Sequence, residues 1–159
     1  MQNHIILLLT NYTGGNELIE ESEKTGGLGT LAVAGHLKSY VKKFKDEHFP
    51  VGTQDQEIHL FAIAVGITQG ERLEQDKWQK GSSGSKSHPG VHVQNLPDLN
   101  ALIAILEALG DIEPGINPKS VLNEYLNGGL TYLKRQKTEK VSLEDIFEII
   151  PQLGEYADS

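Results

Sequence analysis

His88 and His92 stand four residues apart, a spacing that on a helix would put two imidazoles on one face for a metal ion. Pro89 and Gly90 lie between them, so the segment is no helix. On a strand the pair would share a side but sit far apart. His36 falls in a helical pattern and His59 in an apolar run that reads as strand, so no third ligand is nameable and no metal site is expected. The carboxylates Glu20, Glu21 and Glu23, and again Glu144, Asp145 and Glu148, are grouped as solvated faces or helix N-terminal charges are. The chain has no cysteine, which removes disulfides, thiolate zinc and cysteine nucleophiles together. Its serines crowd into Gly81–Ser87 rather than at a strand-to-helix elbow. No catalytic residue can be named. Whether the chain is an enzyme stays open, because catalytic groups converge in space rather than along the sequence.

Two further groups invite a reading. Lys38, Lys42, Lys43 and Lys45 follow one helical stretch and could face phosphates, although a solvated helix face explains them as well. Trp78 is the single tryptophan and lies between Lys77 and Lys80. An aromatic anchor on a polar arm can dock a partner; the same residue could equally pin the arm to its own domain.

The glycines supply the strongest pattern. Thr25-Gly-Gly-Leu-Gly-Thr-Leu31 resembles the TGGxGxLG string of short-chain reductases, which holds a dinucleotide phosphate. That motif needs a buried strand running into the glycines, whereas Glu20–Lys24 is acidic. Ala32 replaces the third glycine, and no YxxxK pair follows. Dinucleotide binding is therefore set aside. A looser expectation remains. In a parallel sheet, the carboxyl ends of the strands and the helix N-terminus share one edge. Asn11, Thr13, Gly14, Gly15, Gly29, Thr30 and Thr68, with Thr10 and Gln69 beside them, would there offer backbone N–H groups to a small anion.

The elements that must position these residues follow from the apolar pattern. His4–Thr10 is a continuous apolar run, as in a strand buried on both faces. Glu57–Gly66 reads as a second such strand. Between them Leu31, Ala34, Leu37, Val41 and Phe44 recur at spacings of three and four, which predicts an amphipathic helix over 30–46 stopped by Pro50 and Gly52. Strand, helix and strand make a βαβ-like half over 1–66. Residues 67–90 form a long polar arm rich in glycine and serine, followed by a short strand at Gly90–Gln94. Residues 91–154 read as mainly helical. Leu99–Leu109 is the most buried helix, and a second, opened by Asn117-Pro118, ends at Gly128-Gly129. Leu130–Arg135 is ambiguous, and Ser142–Ile150 matches a capping box with a helical face behind it.

The 159 residues fit one domain. The expected class is α/β or α+β: a small mixed or parallel sheet with a helical C-terminal half on the same core. The formal net charge of −8 opposes nonspecific binding to nucleic acid or anionic membrane. Without a signal peptide or a membrane-length apolar run, a cytoplasmic protein is expected. The functional expectation is a non-enzymatic interaction or assembly subunit that self-associates or binds a protein partner through the 67–90 arm and Trp78. The alternative is a module for a small anionic ligand, a nucleotide or phosphate, on the glycine-rich loops. The identity of any cofactor is left open.

Overall fold

The computed structural model describes residues 27–136. The His4–Thr10 strand, the Asn11–Gly15 turn, the acidic stretch before Gly26 and the Ser142–Ile150 helix lie outside them. The described elements are β1 (Thr30–Ala34), α1 (Lys38–His48), α2 (Asp55–Gln69), β2 (Ser87–His92), α3 (Leu99–Ala108) and α4 (Lys119–Gln136), with single 3-10 turns at Gly35–Leu37, Gln75–Lys77 and Val93–Asn95. The class is α+β, with a two-stranded antiparallel sheet and a helical C-terminal half.

Two assignments are corrected. Glu57–Gly66 is the body of helix α2, not a strand. It is apolar all round because it is buried almost all round, every residue from Ile58 through Ile67 except half-buried Leu60, so neither period stands out. Its ends carry the helical signal. The Gln54 N–H donates to the Glu57 carboxylate at 3.1 Å, one half of a capping box. Gly70 closes the helix at φ +65°, and the Glu71 N–H returns to Gly66 O at 2.9 Å, as in a Schellman ending. The second correction concerns residues 30–37. Thr30–Ala34 is a strand, and the α-helix starts only at Lys38. The change comes at Gly35, where a Cβ would stand 1.9 Å from Ser85 O. With neither a parallel strand nor a helix at 30–34, these residues form no βαβ unit.

The C-terminal half follows its sequence closely. Leu99–Ala108 is helical, with Leu102, Ile103, Ile105 and Leu106 fully buried. Asn117 Oδ1 accepts the Lys119 N–H at 2.9 Å and so caps α4. Gly128 and Gly129 do not end that helix, which runs on to Gln136. They face α2 and the turn after it: a Cβ on Gly129 would lie 1.8 Å from Ala62 O, and one on Gly128 2.0 Å from Glu71 O. The glycines let the backbones of α2 and α4 touch. β1, α1 and all three later helices contribute to one buried cluster, against which half-buried Val91 of β2 packs. Phe44, Phe49 and Phe61 meet edge and face where α1 turns into α2.

β1 is bonded along both edges. On one side it pairs with β2, Thr30 opposite His92 and Val33 opposite His88. The register shifts between Thr30 and Ala32, so Leu31 faces two residues, Gly90 and Val91, as in a β-bulge. On the other side α4 supplies side chains. The Ala32 N–H donates to Asn123 Oδ1 at 2.8 Å and the Ala34 N–H to Asn127 Oδ1 at 2.7 Å. Asn127 Nδ2 donates back to Ala32 O at 3.0 Å.

Candidate functional site

A cleft of about 360 Å³ opens between α1, the start of α2 and the bulged part of β2. Lys38, Lys42 and Lys45 line it from α1, at the four- and three-residue spacings that share a helix face. Asp55 and His59 come from the first turns of α2, and His88, Pro89, Gly90 and Val91 from β2. Lys45 Nζ is 2.7 Å from Asp55 Oδ1 and ties the end of α1 to the start of α2. Asp46, one turn after Lys42, also lines the cleft.

The two histidines of this cleft are held in opposite senses. His59 is only 5% exposed. Its Nδ1 lies 2.9 Å from Asp55 O, one helical turn back. A carbonyl only accepts, so Nδ1 carries the proton. Nε2 is then a bare acceptor, and it is buried without a partner among the described residues. An orphaned acceptor of this kind costs about 1–3 kcal/mol. Burial holds the His59 pKa below its ordinary value, opposed by the bond to Asp55 O and the Asp55 charge. His88 is reversed. Its Nδ1 lies 3.3 Å from Lys38 Nζ and its Nε2 3.2 Å from Ser83 Oγ. An ammonium only donates, so Nδ1 accepts and Nε2–H points at the serine. That tautomer cannot take a proton from Ser83, and the Ser83–His88–Lys38 chain makes no activated nucleophile.

The expected edge site is not assembled among the described residues. Gly29 and Thr30 begin the β1 side of the sheet. The Lys119 stem lies 3.1 Å from where a Gly29 Cβ would be, and Thr30 Oγ1 is 2.9 Å from His92 Nδ1. Thr68 and Gln69 end α2 rather than a strand. Because β1 and β2 run antiparallel, no row of strand carboxyl ends gathers these residues. Asn11, Thr13, Gly14 and Gly15 lie outside the described residues. His88 and His92 engage separate partners, and no group of three His, Cys, Asp or Glu side chains converges on a metal position among the described residues.

Trp78 lies in the core at 4% exposure, with its Nε1–H donating to Leu73 O at 3.2 Å. The reading in which it pins the arm fits this placement, and the reading of a free anchor does not. The rest of segment 67–90 is stitched down by backbone bonds: Leu73 N–H to Glu124 O, His36 N–H to Gln79 O, and Gly35 N–H to Lys86 O at 2.7–2.9 Å.

Sequence reasoning missed His59 because the run around it read as strand. Its position four residues after Asp55, behind the Gln54–Glu57 cap, is the signal that would have placed it on a helix. No protein-family model matches the chain, and neither a curated protein nor a solved structure shows significant similarity to it. No helix among the described residues is long and apolar enough to cross a membrane.

Proposed function

We propose that this chain is a binding module for a small anionic ligand, held in the α1–α2–β2 cleft rather than on the glycine-rich loops. One observation carries the reading. In a chain of net charge −8, three lysines of one helix face line a single cleft against two carboxylates, Asp46 and Asp55, which leaves the cleft a net positive charge. A cation in a partly enclosed site attracts an anion more strongly than one in open solvent, because the effective dielectric is lower. An assembly role through segment 67–90 takes second place, since Trp78 is occupied within the fold.

The test is a calorimetric titration with inorganic phosphate. Lys42→Glu should weaken binding by about tenfold or more. Lys43→Glu should change little, because Lys43 points away toward Glu47, 3.9 Å distant. Equal losses in the two variants, or no binding to the unaltered chain, would remove the reading.

A further inference from the structure

We infer that the ligand of this cleft carries, beside its anionic group, a hydroxyl or amino hydrogen-bond donor that His59 Nε2 accepts. The inference rests on the anion-binding reading above and narrows it to a chemical class, the phosphorylated or carboxylated alcohols and amines.

Three observations lead there. The His59 proton is fixed on Nδ1 by Asp55 O, 2.9 Å away, so the other ring nitrogen presents a lone pair. That nitrogen is buried and has no partner among the described residues, although buried polar atoms are ordinarily satisfied. Finally, the strand next to it is shaped around it. The bulge brings Gly90 over the ring, and a Cβ at Gly90 would stand 2.7 Å from Nε2. Gly90 already covers the nitrogen, and glycine keeps that cover thin, since a side chain there would collide with the ring.

The cleft therefore offers two unlike features to one small molecule. Lys38 and Lys42 present positive charge from α1, and His59 presents an acceptor from α2. A fully ionised anion, such as a phosphate monoester dianion above its second pKa, meets the first and fails the second, because all its oxygens are acceptors facing an acceptor. His88 does not supply the missing donor: its Nε2–H is directed to Ser83. A molecule with an anionic end and a hydroxyl or amine a few bonds away satisfies both.

The experiment compares glycerol 3-phosphate with n-propyl phosphate, which has the same phosphate and a similar carbon chain but no hydroxyl. Both are titrated into the full chain. Glycerol 3-phosphate should bind about tenfold tighter or better, as expected for a hydrogen bond to an otherwise orphaned buried acceptor. His59→Phe should erase that advantage, so that the two phosphates bind with the same affinity. In the unaltered chain the ¹⁵N resonance of His59 Nε2 should shift with glycerol 3-phosphate and stay in place with propyl phosphate, a readout that stands if the variant fails to fold. Equal affinities, or an unmoved Nε2 resonance, would overturn the inference and leave the anion reading standing. Failure of both phosphates to bind would overturn both.

Discussion

Asn127 reaches from α4 to β1 and forms with Ala34 the bond a neighbouring strand would otherwise make: the Ala34 N–H donates to its Oδ1 at 2.7 Å, while its Nδ2 serves Ala32 O at 3.0 Å. The side chain is fully buried, and Nδ2 also donates to Asn123 O at 2.8 Å. A carboxamide has both a donor and an acceptor, which is what an unpaired strand edge requires. Asn123, one turn earlier, holds the Ala32 N–H in the same way. A helix thus completes a sheet that has two strands among the described residues.

Asn127→Ala should accordingly destabilise the chain by about 2–4 kcal/mol, since it strands a buried N–H and a part-buried C=O at about 1–3 kcal/mol each. Urea midpoints at constant m-value would measure it. A loss well under 1 kcal/mol would mean that water or another group satisfies β1.

Gly129→Ala sets two effects of opposite sign against each other. Alanine in a helix interior gains about 1 kcal/mol over glycine. The added Cβ, however, would meet Ala62 O at 1.8 Å, and that atom belongs to backbone, which cannot swing aside. Overpacking of a core contact costs about 1–3 kcal/mol and at times more. The variant should melt lower than the parent. A higher melting temperature would show that α2 and α4 are not in backbone contact.

His59 should make stability depend on pH. Its pKa in the fold lies below the ordinary 6.5, so between the two values the unfolded chain binds the proton and the fold does not. Stability then falls as pH is lowered from neutral through about 6.5 toward the depressed value. The groups sharing its cleft are Asp55 on its own helix, Lys38, Lys42, Lys45 and Asp46 on α1, and His88 on β2. Asp98 and Glu107, raised by burial, act in the opposite sense and at lower pH. Urea midpoints at steps between pH 8 and 5.5 should decline in the parent and flatten in His59→Phe. Parallel curves would assign the slope to other groups.

The legible parts of this fold were those whose two faces differ, or whose ends carry their own chemistry. The Leu99 helix showed its length and its Gly110 stop, and Asn117-Pro118 announced α4 by a cap that the structure contains. β2 was found only in part, from Gly90 onward, because Ser87 and His88 look like the end of a loop. α2 was lost because burial on every side removes the contrast from which a helical period is read. β1 was lost because Leu31 and Ala34 happen to extend the spacing of α1. The cleft was legible only as its separate pieces. The lysine row was visible, but nothing in the sequence says that Gly90, thirty-one residues after His59, will lie against that ring.

The partners of β1 and α2 have a consequence for how the chain is made. Both wait on α4, which arrives last among the described elements. A ribosome that has released residues up to Ala108 has exposed β1 without the Asn123 and Asn127 side chains that bond it, and α2 without the glycine surface it packs against. Contacts between segments so distant in sequence form late and slow folding. A nascent chain halted short of Lys119 is therefore expected to remain a substrate for chaperones, and the described fold should close in one step as α4 emerges.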